Sequence, residues 1–294
     1  MLVAPGLTLR RIPDKLTVFD LAAAGSVGFR EWALLEPILP TCTVELESAK
    51  EAAVVPGYDH LNRGWLISSL LLLRGFGEHL AVACASYSWL QIAGHQKRTS
   101  GSFHEQLRNQ GVLKAIYRPI ASLPEFSGGL LDFHVRLITL REFTARPVTV
   151  EDAKWLQEHF DAFNELCTAN RPFRLALEAL ADCRYSQNSR VAIARLWSGI
   201  ESLFSVSAEL VYRISIVGAS LLTDRGKERI EKFSQLKKLY GLRSKAVHGE
   251  HLSDESLADA VDQSFALLRD LLLVALKKRS HFTAEIMDNA VMGN

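Results

Sequence analysis

Prolines are concentrated in one half of this chain. Seven of the nine lie before residue 125, and a residue that lacks an amide donor and clashes with the preceding helical turn fits strands and loops better than a helical bundle. Short β-like runs occupy the same half: Gly6 to Ile12, Cys42 to Leu46, Leu80 to Trp89 and Asp132 to Glu142. In the last of them Phe133, Val135, Leu137 and Thr139 alternate with His134, Arg136, Ile138 and Leu140, the period of a strand. Leu61 to Leu73 suits a helix packed on such a sheet. Residues 1–148 are therefore expected to form a mixed α+β region containing a sheet.

From Thr149 the period becomes helical. Thr149-Val-Glu-Asp152 is a variant capping box, with Glu151 and Asp152 favouring the positive end of a helix. Behind it Trp155, Leu156, His159, Phe160, Phe163 and Leu166 recur at three and four residues and make one apolar stripe. Pro172 suits a first helical position. Asn188 or Ser189 caps a further helix carrying Val191, Ala194, Leu196 or Trp197, Ile200, Glu201 and Phe204. Ser207 to Leu222 is apolar on most sides and is expected to be buried. Lys227 to Tyr240 is polar outside, with an inner face of Ile230, Phe233, Leu236 and either Leu239 or Tyr240. Ser253 caps the final long helix, whose first turn holds Asp254 and Glu255 and whose last holds Lys277, Lys278 and Arg279, each sign complementing the helix dipole. After His281 the chain is expected to fray. The fold class expected is α+β: a mixed domain of unknown role over 1–148, and an all-helical bundle of at least five helices over 149–294.

A chain of 294 residues that is 48% hydrophobic buries a sizeable core and has room for two ordinary domains. Its formal net charge of +1 gives no global reason to expect nucleic acid, so such a partner must be met by a local basic patch. Residues 209–250 supply one, with nine basic side chains against five acidic ones. The stretch His95 to Arg118 is basic as well and suits a solvated surface. Cys42, Cys84, Cys167 and Cys183 form no Cys-x-x-Cys pair and suit buried free thiols. His95, His104 and His134 lack the spacing of a metal site, so neither metal nor cofactor is expected. The first residues lack the basic-then-apolar pattern of a signal peptide, and the longest apolar runs are too short to span a bilayer. A cytoplasmic protein is expected. Phosphate loops, dinucleotide fingerprints, serine elbows and metal-nuclease carboxylate clusters are missing from the sequence.

One stretch carries chemistry. Tyr240-Gly-Leu-Arg-Ser-Lys-Ala-Val-His-Gly249 spaces Arg243 five residues ahead of His248. A guanidinium grips phosphate bidentately, and an imidazole exchanges protons near neutral pH. Arg74 and His79 have the same spacing, and Arg98 and His104 are one residue wider. What sets Arg243 and His248 apart is helical pattern on both sides, Tyr240 before, Ser244 after the arginine, and glycine behind the histidine.

With Trp197, Ile200 and Glu201 in Leu196-Trp-Ser-Gly-Ile-Glu-Ser-Leu203, followed by Tyr240, Leu242, Arg243, Ser244, Val247, His248 and Gly249, residues 189–275 resemble the HEPN superfamily and its Apea-like branch. Many ribonuclease members place Asn, Asp or His after the arginine; Ser244 keeps a polar group there. The resemblance implies a helical bundle that pairs as a homodimer, so that two motifs face one cleft and cut RNA without metal. It implies Arg243 and His248 as catalytic residues, and a defence or toxin-type effector answering to a phage trigger or regulatory protein. Ser244, Glu201 and Tyr240 would support the site, and Lys245, Lys237 and Lys238 would hold RNA. On a straight helix five residues advance about 500°, so Arg243 and His248 diverge by about 140° over a rise of about 7.5 Å. A helix end inside the motif, at Gly241 or Gly249, or a second copy would close that gap. Glu201 is either an acid at the edge of its stripe or the group that holds the motif arginine or backbone in place. The rival from another class is an inactive module that dimerises and binds RNA, a nucleotide or a protein. Two motif side chains lining one open groove favour the enzyme; one of them bound internally favours the module.

Overall fold

A computed structural model describes residues 1–12, 42–48, 63–77, 138, 140–141, 146–204 and 209–293. The fold is α+β, mostly helical with a small antiparallel sheet. The chain divides into two units, Met1–Ala49 with Leu80–Phe133, and Lys50–His79 with His134–Asn294. The expected strand at Leu80 to Trp89 and the basic stretch His95 to Arg118 lie outside the described residues. Of Asp132 to Glu142, only Ile138, Leu140 and Arg141 are described, and none of these is in a strand.

In the first unit, β1 (Leu2–Ala4), β2 (Leu7–Arg11) and β3 (Val44–Ser48) form a sheet in that order. Alternation sets its faces: Leu7 and Leu9 are buried while Arg10 is exposed. Arg10 stands opposite Glu45 and reaches Glu47 at 2.6 Å. Cys42 is half-exposed, unlike the buried thiol expected.

The second unit contains α1 (Arg63–Arg74), α2 (Val150–Ala169), α3 (Arg171–Asp182), α4 (Ser189–Phe204), α5 (Leu210–Leu222), α6 (Lys227–Val247), α7 (Asp254–Lys278) and α8 (Ala284–Met292). Helix α1 precedes residue 148 in the chain, and its buried Leu66, Ile67 and Leu70 to Leu73 pack with α2 and α7. Helix α4 is the centre, touching α3, α5, α6 and α7. Burial of Ala192, Ile193, Leu196, Trp197, Gly199, Ile200, Leu203 and Phe204 leaves it little free surface. Close packing of α4 on α3 depends on small residues. A Cβ at Gly199 would lie 2.7 Å from the Ala179 Cβ and 3.3 Å from the Ala176 backbone. Cys167 and Cys183 are enclosed in the same core, and burial pushes the Cys183 thiol up to about 12, so neither is a ready thiolate.

Helix starts follow the caps in the sequence. Asp152 accepts from the Thr149 amide and hydroxyl at 3.0 and 2.8 Å and completes the capping box of α2. It is only 1% exposed, yet Arg146 holds it through two bonds of 2.7 and 3.0 Å and Arg74 through one of 2.7 Å. Asn170 caps α3, Asn188 accepts from the Val191 amide at the start of α4, and Ser253 caps α7.

Three helical expectations need correction. Helix α5 is buried on one face only, through Ile214, Val217 and Ala219, while Val211 and Tyr212 face solvent. Its apolar composition left no polar face to mark the outside. On α6, Ile230 is 67% exposed. The inner face there is set by Leu236 and Leu239, which leave the helix about 120° and 180° away from Ile230. The chain after His281 does not fray: Phe282 is fully buried, bonds its amide to the Leu203 carbonyl at 3.1 Å and sets its ring 5.2 Å from that of Phe204, tilted by 54°. Thr283 then caps α8.

Gly199→Ala should destabilise the protein by about 1 kcal/mol in urea titrations, because overpacking costs about 1–3 kcal/mol and helix propensity returns about 1. Asp152→Asn should cost about 2–3 kcal/mol at pH 7, from the cap and the charged hydrogen bonds. The Arg146 guanidinium, helped by Thr149 and Arg74, holds the Asp152 carboxyl well below the usual carboxylate range against the opposing effect of burial. Its contribution is therefore complete above the unfolded value of about 3.9 and lost as the pH falls below it. Denaturation of wild type and variant at pH 7 and pH 3 should show the gap between them narrowing in acid.

Candidate functional site

The two blocks of the sequence motif lie on two packed helices. Trp197 and Glu201 are one turn apart on α4, and Tyr240 and Arg243 are one turn apart on α6. They meet rung by rung. The Trp197 and Tyr240 rings stand edge to face with centroids 5.1 Å apart, and the Arg243 Nη2 lies 2.9 Å from the Glu201 Oε1. The Arg243 guanidinium also sits 5.3 Å from the centre of the Tyr240 ring. Trp197 itself is fully buried and donates from its indole nitrogen to the Ser264 hydroxyl on α7 at 3.0 Å. Four motif residues thus brace α4 against α6, with Ser264 fixing the innermost.

Glu201 therefore holds the arginine, one of the two roles the sequence left open for it. The carboxylate and guanidinium are 25% and 23% exposed, and so partly screened an ion pair is worth at most about 1 kcal/mol. Its effect is on orientation: one Nη of Arg243 faces Glu201 and the Nε is enclosed.

His248 is placed differently. Helix α6 runs unbroken through Gly241, so no break at that glycine brings the histidine toward the arginine. It ends at His248, whose amide bonds the Ser244 carbonyl at 3.0 Å. Gly249 then takes a φ of +76°, and the Glu250 amide turns back to the Lys245 carbonyl at 3.0 Å, the closing pattern that glycine permits at a helix C-terminus. The imidazole is exposed. No hydrogen bond or ion pair joins it to Arg243, whose guanidinium faces α4. Within one chain the two groups remain apart, as the helical divergence of about 140° requires. Ser244 is half-exposed, and Lys237, Lys238 and Lys245 are exposed on the same helix.

A residue outside the motif fixes this helix end. Arg190, in the first turn of α4, donates from its two Nη atoms to the Ala246 carbonyl at 2.8 Å and the Glu250 carbonyl at 2.7 Å. An arginine at that position reads in sequence as one more surface cation, since its acceptors are backbone atoms more than fifty residues away. Of the competing Arg/His pairs, Arg74 is held by Asp152, while His79, Arg98 and His104 lie outside the described residues, as do His95 and His134. Among the described residues no group of three or more His, Cys, Asp or Glu is placed to hold a metal ion, and no helix is long and apolar enough to cross a membrane.

No family model matches the chain, nor does any curated protein or solved structure.

Arg190→Ala should leave the global unfolding midpoint within a few degrees of wild type but loosen the end of α6. Amide exchange at Glu250 and His248 should accelerate at least about tenfold, which corresponds to losing about 1.4 kcal/mol of local protection.

Proposed function

We propose that the helical unit is a metal-independent endoribonuclease of HEPN type, working as a pair of copies. The observation that carries this is the placement of His248: an exposed imidazole at the end of a helix that, from Lys232 to Gly249, contains five Lys and Arg and no Asp or Glu. Phosphate neutralisation supplies most of the sequence-independent affinity for RNA, and the basic side chains stand on the helix that bears the proton-exchanging group. His248 would take the proton of a ribose 2′-hydroxyl, whose oxygen attacks the adjacent phosphorus. Arg243, oriented by Glu201, would stabilise the charge on the phosphorane. The bond to the 5′-oxygen then breaks, and that oxygen takes a proton from the histidine of the second copy. The products are a 2′,3′-cyclic phosphate and a 5′-hydroxyl. Because Arg243 and His248 diverge within one chain, a second copy is needed to put a cation and an imidazole on one phosphate. Tyr240 and Ser244 support the site, and Lys237, Lys238 and Lys245 bind the RNA backbone. By the same resemblance we propose a cytoplasmic defence or toxin-type effector, held in check through the N-terminal region until a phage trigger or regulatory protein releases it.

The Arg243–Glu201 pair favours a second reading, in which the arginine is a strut between helices and the unit an inactive module for dimerisation and binding of RNA, a nucleotide or a protein. Incubation of the purified protein with labelled RNA in EDTA separates the two. The enzyme cleaves RNA but not DNA, and His248→Ala lowers the rate at least about a hundredfold while remaining folded and paired. Cleavage that survives both His248→Ala and Arg243→Ala, or that needs magnesium, excludes the proposal. Absence of cleavage with RNA binding intact supports the module.

A further inference from the structure

Helix α6 carries an outward stripe that nothing in the core uses. Lys237, Gly241 and His248 fall within about 40° of one another around the helix. No atom lies within 4 Å of where a Cβ would stand at Gly241. A glycine inside an exposed helix costs about 1 kcal/mol relative to alanine, and here no contact among the described residues requires one. It leaves bare backbone between Lys237 and Lys245, one turn away on either side. At the other end of the stripe the Lys237 ammonium lies over the Phe233 ring at 5.5 Å, and the Tyr212 ring of α5 meets Phe233 edge to face at 5.9 Å. Tyr212 is 57% exposed. Arg213 beside it is exposed too.

We infer that the Tyr212–Phe233 pair, with Lys237 over the Phe233 ring, is a base-stacking subsite for single-stranded RNA, from which the strand runs along the bare stretch at Gly241 to His248. An exposed aromatic face next to a cation holds any base by stacking while the ammonium takes the neighbouring phosphate. From Phe233 to His248 is fifteen residues, a rise of about 22 Å, so the stacked base lies a few nucleotides from the scissile phosphate. A duplex cannot offer a free base face, so the subsite selects single strands. The charge along the stripe is of one sign, which suits a polyanion.

The inference rests on the RNA-cleaving reading, and its test separates the two. A short 2′-O-methyl oligouridine lacks the attacking hydroxyl and so reports binding alone; its affinity is measured by fluorescence anisotropy at several salt concentrations, beside cleavage of the ordinary RNA. Tyr212→Ala should weaken binding about five- to one-hundredfold, the range for one stacked base, with the salt dependence unchanged. Tyr212→Phe and Tyr212→Trp should retain it. Lys237→Ala should lower the slope of log K against log salt by about one. In cleavage, Tyr212→Ala should raise KM and leave kcat near wild type. Wild-type affinity in Tyr212→Ala, together with intact cleavage, overturns the subsite and leaves the ribonuclease standing. A wild-type protein that neither binds nor cuts RNA overturns both. A changed sedimentation coefficient of Tyr212→Ala without RNA assigns the patch to contact between copies and overturns the inference.

Discussion

Trp197 is the contact on which the helical unit depends. One side chain, fully buried, meets the Tyr240 ring on α6 edge to face and gives its indole N–H to Ser264 on α7. A large aromatic stabilises by the area it buries, but an indole also needs an acceptor inside the core. That requirement fixes the rotation of α4 against α7, and the edge-to-face ring contact fixes α6 on the other side. Gly199, two residues on, lets the opposite flank of α4 close onto the Ala176 and Ala179 surface of α3. Once α4 is locked, Glu201 has one direction left in which to point, and Arg243 is the cation it meets.

Several arginines of the helical unit end on backbone carbonyls. Arg174 closes the end of α2 by donating to the Cys167 and Thr168 carbonyls, Arg184 donates to Gly77, and Arg269 caps α1 at Leu73. Arg190 does the same for α6 at Ala246. A guanidinium suits this role because its planar fork reaches two acceptors at once and its stem packs against apolar neighbours. The buried carboxylates face arginines instead: Asp262 accepts from Arg141, and Asp152 accepts from Arg74, Arg146 and Thr149 at a helix N-terminus, where the dipole adds to the effect of the arginines. Rigid helix ends follow, and the exposed His248 stands on one of them.

The two motif groups differ in freedom for a related reason. Arg243 lies on the flank of α6 that turns toward α4, so its guanidinium is spoken for by a neighbour in the same chain. His248 lies where Gly249 stops the helix, beyond the last residue that α4 can cover. A held cation and an open imidazole therefore stand on one helix, and the divergence of about 140° keeps them apart within the chain.

Much of the fold was written locally. Thr149, Asn188 and Ser253 start helices where their side chains can bond the first free amides, and Gly249 ends one where a left-handed residue is needed; these are interactions within four or five residues, so sequence carries them. The stripe of Leu156, Phe160, Phe163 and Leu166 fixed which way α2 faces. The pairing of Tyr240 and Arg243 with Trp197 and Glu201 was visible only as two blocks about forty residues apart, with no statement of which atoms meet. Exposure of Ile230 and Tyr212, ordering of the chain after His281 through Phe282, and the grip of Arg190 on Ala246 came only with the tertiary structure. Each depends on which neighbouring helix happens to cover a given face, and a helix's own sequence records its apolar residues but not whether another element lies over them.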